Sequence, residues 1–218
     1  MEPNRLDPAS LLPLSYFERE PHIVARELLG CVLVSDKGGM VTGGHIVETE
    51  AYFGANDAGS HAATKGVTPR NAVMYGPPGH TYVYFTYGNH YLLNFVCEPE
   101  GTAGAVLVRA LQPRYGVPTM AARRCGRPVR ELTNGPGKLT AALSIDLSDN
   151  ACRLNESEIL VYNAPRLAPE LVAVSGRIGL SDGHEHEYRY YLRDNPFVSR
   201  GRTGPVRRPD CARDRGEP

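Results

Sequence analysis

Residues 46–52 read Ile-Val-Glu-Thr-Glu-Ala-Tyr, IVETEAY, and the way this stretch lies on a backbone decides the fold. It reads as a β-strand, whose successive side chains point to opposite faces. Ile46, Glu48, Glu50 and Tyr52 then share one face, and Val47, Thr49 and Ala51 the other. Two carboxylates and a phenol therefore point one way. A half-exposed strand with a solvated acidic face would account for this, because carboxylates are seldom buried unless something pairs with them or uses them. The other reading, a carboxylate held inside for chemistry, requires the rest of the chain to supply matching parts.

Upstream, residues 31–34 and 41–52 flank Asp36-Lys37-Gly38-Gly39, a hairpin signal feeding straight into the acidic strand. Residues 21–29 predict a short helix with Pro21 at its start and Gly30 just past its end, and with Ile23, Val24, Leu28 and Leu29 as core contacts. Residues 1–13, rich in proline and polar groups, read as a loose, flexible arm.

Downstream, residues 53–79 form a long stretch without apolar periodicity, the kind of loop that is usually functional or disordered. It carries His61 and one helical turn, Thr68-Pro69-Arg70-Asn71, with threonine as N-cap and proline at the first helical position. Residues 81–87 and 90–97 are β-rich runs joined at Gly88-Asn89, a second hairpin with Tyr87 beside its tip. An aromatic there serves either cross-strand packing or insertion into a partner. A two-residue and a three-residue loop are both compatible with the sequence, and one residue of slip would swap the faces of Tyr84 and Asn94.

Residues 105–111, AVLVRAL, form an apolar strand interrupted by Arg109. That guanidinium is either paired, with Glu50 as one of few partners, or snorkels at a sheet edge. Residues 114–130 carry Arg114, Arg123, Arg124, Arg127 and Arg130 with no glutamate, which suits a solvated face or a phosphate-contacting one. Asn134-Gly135-Pro136-Gly137-Lys138 then opens a helical pattern through Leu139, Ala142 and Leu143, which puts free N–H groups and a lysine at a helix start, a ready anion site. The spacing is not that of a Walker A motif. Residues 159–162, 171–180 and 188–193 read as further strands, and residues 200–218 as a disordered basic, proline-rich tail.

The whole is a single-domain α+β protein, its sheet mostly antiparallel and its helices peripheral, with the folded domain over residues 14–199. Formal net charge is zero, and of the 24 basic residues only Lys37, Lys65 and Lys138 are lysines. Five scattered cysteines without a C-x-x-C argue against a disulfide framework, a zinc ribbon or an iron–sulfur cluster, and for a reducing compartment. His184-Glu185-His186 lacks a third metal ligand and reads as a polar turn. No apolar run approaches a membrane span, so the expectation is a soluble cytoplasmic protein without metal or cofactor. A carboxylate kept ionised by an arginine, the rings of Tyr52, His61 and Tyr84, and the amide of Asn94 suit a flat, possibly cationic heterocycle such as a purine.

IVETEAY at 46–52, His61, TPRN at 68–71, YVYFTYG at 82–88, Asn94, VRALQP at 108–113 and NGPGKL at 134–139 together resemble the alkyladenine (3-methyladenine) DNA glycosylases, the type without a helix-hairpin-helix. The likeness runs in unbroken order from about Leu14 to Ser199, which makes it more specific than any single motif. It implies a curved antiparallel sheet in one α+β domain and a monomer acting on double-stranded DNA that contains damaged purines, in the nucleoid if the source is bacterial. By the same resemblance Glu50 would activate the attacking water and Arg109 would help position it. Tyr52, His61 and Tyr84 would stack on the base, and Asn94 would discriminate against the guanine 2-amino group. Tyr87 would fill the gap left by the flipped nucleotide, while Arg70 and Lys138 would contact phosphates. Ala62-Ala63-Thr64-Lys65 lacks the arginine-glycine step of vertebrate members, and Asn89 and His90 replace bulkier apolar and aromatic residues, departures that bear on substrate range and grip on the duplex.

With no lysine in the pocket motifs, a Schiff-base lyase step is not expected and the enzyme should be monofunctional. Two rivals share some of the parts. A hydrolase of O-glycosides could use Glu48 and Glu50, about 6.6–6.8 Å apart along the strand, although adjacent same-face positions do not straddle a sugar and the chain has no tryptophan to stack one. A non-enzymatic reader of damaged DNA would keep the wedge and the basic surface without needing Glu50.

Overall fold

A computed structural model of the chain describes residues 6–54, 57–60, 66–86, 88, 90–180 and 185–201. Two hairpins come first. Strand β1 (Val32–Lys37) turns through Gly38 and Gly39, at φ +60° and +81°, into β2 (Met40–Tyr52); the positive φ at both positions is what a two-residue turn requires and glycine supplies without strain. Strand β3 (Thr81–Thr86) pairs with β4 (His90–Val96) in the register Thr86 to His90, which leaves three positions for the turn and places Tyr82 opposite Asn94 and Tyr84 opposite Leu92. The long strand β5 (Ala105–Tyr115) and three short strands, β6 (Ile159–Tyr162), β7 (Val172–Ser175) and β8 (Arg189–Leu192), complete the sheet.

The strands form one antiparallel sheet in the order β3-β4-β5-β2-β1-β6, with β7 and β8 joined to it where β8 pairs with β2. Strand β2 is the axis of this arrangement. It pairs with β5 from Gly43 to Tyr52, with β1 along its first half and with β8 at Glu48–Glu50. Neighbours come so close at its middle that a Cβ on Gly44 would lie 2.1 Å from the Gln112 carbonyl oxygen, and one on Gly43 2.2 Å from that of Leu33.

Side-chain parity divides the sheet into two faces. Val83, Leu93, Phe95, Val106 and Val108 point into the main core. There they meet Val24, Ala25 and Leu28 of α1 (Pro21–Glu27) and its C-cap, Met120 of α2 (Val117–Arg123), and Leu139, Ala142 and Leu143 of α3 (Pro136–Leu143). Among the described residues the three α-helices therefore pack on one face, each fully buried large apolar side chain contributing roughly 1.5–3 kcal/mol. The other face carries Tyr82, Tyr84, Leu92, Asn94, Leu107 and Arg109, and forms one wall of a cleft.

Several expectations are corrected. Ile46 does not share the face of Glu48: β2 and β5 slip register between Ile46 and Thr49, a β-bulge, and Ile46 joins the main core along with Ala51. Ile23 is exposed and Ala25 takes its place in the core, because helical spacing puts positions 21, 24, 25 and 28 on the inner face. Of the expected loose arm, the part from Leu6 to Pro13 is docked: Leu12 is buried, its N–H donates to the Val161 carbonyl at 2.9 Å, and Leu11 forms an isolated bridge with Tyr162. The strand expected over residues 171–180 ends at Ser175, and the chain from 176 to 180 leaves the sheet to cover Glu50.

Candidate active site

The centre of the molecule holds a charge cluster built on β2. Glu48 and Glu50 are both fully buried. Between them lies Arg109 from β5, 6% exposed, whose Nε donates to Glu48 Oε1 at 3.0 Å and whose Nη1 donates to Glu50 Oε2 at 3.0 Å. The bulge makes this possible: Glu48 pairs with Ala110 and Thr49 with Val108, so Arg109 sits at the irregularity and its side chain reaches both carboxylates. Burial opposes the charge on Arg109, but Glu50 and Glu48 outweigh it and hold the guanidinium above its ordinary pKa. The edge-snorkelling alternative for this arginine is thereby excluded.

The two carboxylates differ in what surrounds them. Glu48 accepts from Arg109, from Arg189 Nε at 2.7 Å, and from both the N–H and the hydroxyl of Ser199 at 2.7 and 2.8 Å. Burial pushes its pKa up, yet Arg109, Arg189 and the Ser199 N–H prevail and hold it below the ordinary carboxylate value. Glu50 accepts at Oε2 from Arg109 and from the Tyr52 hydroxyl at 2.8 Å, and at Oε1 from the Ile178 N–H at 2.7 Å. Burial, and then the charge of Glu50, keep the Tyr52 phenol well above its ordinary pKa, so it stays a neutral donor. A carboxylate offers about four acceptor positions. Glu48 receives four donors, three of them on Oε1 and one on Oε2; Glu50, among the described residues, receives three, two on Oε2 and one on Oε1.

Above Glu50 opens a cleft of about 430 Å³, within the range of roughly 300–1,000 Å³ usual for small-ligand sites. Tyr52, Tyr82, Tyr84, Asn94 and Arg109 line its sheet side. Gly59 and Ser60 border it from one loop, Ile178–Leu180 from another, and Gly135–Lys138 from the start of α3. Asn94 is buried and fixed by donating Nδ2–H to the Tyr82 carbonyl at 3.0 Å. Tyr82 and Tyr84 pack ring to ring at 5.1 Å, and burial pushes the Tyr82 hydroxyl up to about 12.

Seven of the residues singled out in the sequence can be located. Arg109, Tyr52, Tyr84 and Asn94 line this cleft, Lys138 joins its wall, and Glu50 lies fully buried behind it, bonded to Arg109 and Tyr52. Arg70 does not line the cleft; its guanidinium lies 4.9 Å over the Tyr84 ring and donates to the Phe85 carbonyl at 3.1 Å. His61 and Tyr87 lie outside the described residues. Lys138 on the cleft wall corrects the premise that no lysine borders the pocket; its ammonium donates to Asn134 Oδ1 at 2.9 Å. Among the described residues no group of histidine, cysteine, aspartate and glutamate side chains could hold a metal ion.

Sequence reasoning missed Arg189, Ser199, Asp57, Arg177 and the Ile178 N–H. Arg189 carried the same signal as Arg109, a lone cation in an aromatic strand (Tyr188 to Leu192), and it emerges on the same carboxylate. The pairing of Asp57 with Arg177 spans 120 positions, and no local pattern announces it.

A family model for methylpurine-DNA glycosylase (MPG) matches residues 15–196. A protein of Carboxydothermus hydrogenoformans named "Putative 3-methyladenine DNA glycosylase" is 47% identical over 191 residues, covering 87% of this chain and 99% of its own. Proteins of the same name from Prosthecochloris aestuarii and Rhodopseudomonas palustris are each 44% identical, again over 87% of this chain and over 91% and 88% of theirs. These similarities define the class: a DNA glycosylase, an enzyme of DNA repair that hydrolyses N-glycosyl bonds. Within it, the chain belongs to the methylpurine-DNA glycosylase family.

Proposed function

We propose that the protein removes alkylated purines of the 3-methyladenine class, and deaminated purines, from duplex DNA by rotating the nucleotide into the cleft and hydrolysing its N-glycosidic bond with a water activated by Glu50. One observation carries this reading: a buried carboxylate, clamped by Arg109 at 3.0 Å, has one position at Oε1 without a donor among the described residues, and its three partners, Arg109, Tyr52 and Ile178, all line a ring-walled cleft. Burying a charge is costly unless the group is paired, and leaving one of its acceptor positions unfilled is the arrangement expected where a water is to be held.

The target C1′ is inaccessible in the stack, so the nucleotide must rotate out at a cost of a few kcal/mol, less where damage has weakened pairing. Inside the cleft, Tyr52 and Tyr84 offer ring faces to the base, with His61 as a third partner, and stacking on a cationic purine adds about 0.5–2 kcal/mol per contact. Asn94, immobilised by its bond to Tyr82, meets the heterocycle edge and disfavours the 2-amino group of guanine. As the C1′–N bond lengthens, positive charge builds on the sugar; the fixed Glu50 carboxylate stabilises it and takes a proton from the attacking water. Arg109 holds Glu50 in place and orients that water. Tyr87 fills the gap in the duplex, and Lys138 and Arg70 meet backbone phosphates. Water as the nucleophile makes the enzyme monofunctional and leaves an abasic site; it acts as a monomer and needs no metal or cofactor.

The O-glycosidase alternative is disfavoured by Glu48, whose four donors and complete burial leave it nothing to offer as an acid or base across a sugar. The test is release of free 3-methyladenine from alkylated duplex DNA without added metal. Wild type is expected to release it; a protein that binds such DNA yet releases no base would overturn the proposal.

A further inference from the structure

Arg177 contributes nothing to the cleft surface and is fully buried, yet its contacts reach the sheet side of the site and the loop of Gly59, and it directly precedes the loop of Ile178. Its Nη1 and Nη2 grip Asp57 at 2.6 and 2.5 Å in a two-point contact, and Nη1 also donates to the Ala51 carbonyl at 3.0 Å, on the strand between Glu50 and Tyr52. Its guanidinium lies 4.7 Å from the centre of the Tyr52 ring and 5.3 Å from that of Tyr188. Asp57 in turn accepts from the N–H groups of Phe53 at 3.0 Å and Gly59 at 3.1 Å, so the same carboxylate folds the loop that brings Gly59 and Ser60 to the cleft. On the other side of Arg177 the next residue, Ile178, sends its N–H to Glu50 Oε1 at 2.7 Å. The fit is close: a Cβ on Gly59 would lie 2.6 Å from Arg177 Nη2, and one on Gly201 2.3 Å from Ile178 Cγ2.

We infer that Arg177, locked to Asp57, is a positioning residue for base excision: it sets the Ile178 N–H on Glu50 and the ring of Tyr52 over the cleft, and thereby fixes the aim of the attacking carboxylate without touching substrate. This rests on the function proposed above. Among the described residues the titratable groups facing Arg177 are Asp57, Tyr52, Tyr188 and, farther off, Glu50. Bidentate pairing is a property of the planar guanidinium that a lysine ammonium cannot reproduce, so Arg177→Lys keeps the charge and loses the geometry.

The experiment is single-turnover excision from alkylated duplex DNA with enzyme in excess, measuring amplitude, rate constant and its pH profile, alongside DNA affinity and thermal midpoint. Arg177→Lys is expected to lower the rate constant on the order of 10–100-fold while DNA affinity holds, the scale expected for misplacing a catalytic group by about an ångström. Arg177→Met removes a cation near the attacking side and should move the acid limb of the profile to higher pH; Asp57→Asn leaves Arg177 uncompensated and should move it to lower pH. The double variant Arg177→Met/Asp57→Asn should regain thermal midpoint relative to Arg177→Met, because the buried pair is removed together, yet remain slow. A purely structural role predicts reduced amplitude at the wild-type rate constant with an unmoved pH profile, and that result for Arg177→Lys and Asp57→Asn overturns the inference. If the wild type releases no base, the parent proposal falls and this one with it. If the wild type is active, Glu50→Gln inactive and Arg177→Lys as fast as the wild type, only the inference about Arg177 falls.

Discussion

Glu48 and Glu50 stand two residues apart on one strand, are both fully buried, and share one arginine, yet they are built for different ends. Glu48 is held by Arg109, Arg189 and Ser199, and ties β2, β5, β8 and the C-terminal segment into one network. Glu50 is held by Arg109, Tyr52 and the Ile178 N–H, residues that line the cleft. The difference teaches that burial and pairing alone do not mark a reacting carboxylate. What separates them is their neighbours: Glu48 is held by Arg189 and Ser199, away from the cleft, whereas Arg109, Tyr52 and Ile178, the partners of Glu50, all line it.

The sharpest way to break this comparison is to neutralise the anchor. Glu48→Gln takes from the buried Arg189 its carboxylate and leaves Arg109 with Glu50 alone, and should cost about 3–5 kcal/mol of unfolding free energy, read by denaturant titration. Glu50→Gln leaves Arg109 paired with Glu48 and should cost clearly less; equal losses would erase the distinction. Next in size, Arg109→Lys cannot reach both carboxylates and should slow single-turnover excision on the order of 10–100-fold with DNA affinity maintained.

Acid provides a milder probe. Because the folded state holds Glu48 below its ordinary value of 4.5, its stabilising contribution is complete above that value and is lost as pH falls through the lowered one. The thermal midpoint of wild type should therefore drop in that acidic window, and the Glu48→Gln variant should drop less over the same range. Smallest of all, Lys138→Ala should weaken DNA binding and reduce the salt slope of log Kd by about one, without changing the excision rate at saturation. Borohydride should trap no covalent protein–DNA adduct in either protein; a trapped adduct that disappears with Lys138→Ala would make the enzyme a lyase.

Much of the fold could be read from local signals. Turn chemistry gave both hairpins, although the first strand runs on to Lys37 and the turn tightens to Gly38-Gly39. The lone arginine in AVLVRAL pointed to its own partner, Glu50. What escaped the sequence was set by long-range geometry. A bulge adds one residue and reverses parity upstream, so alternation through IVETEAY placed Glu48, Glu50 and Tyr52 together correctly and Ile46 incorrectly. Asp57 and Arg177 are ordinary loop residues until tertiary contact joins them, and Leu12, in a proline-rich stretch, is buried only because Val161 and Tyr162 offer it an edge.

The central claim is that Glu50 does the chemistry, and single-turnover release of 3-methyladenine by Glu50→Gln tests it most directly. The substitution keeps the shape of the side chain and the fold around it, so the variant should bind alkylated duplex DNA as tightly as wild type and release no base above the uncatalysed background. Release at the wild-type rate would remove Glu50 from the mechanism and leave the buried charge network without a catalytic purpose.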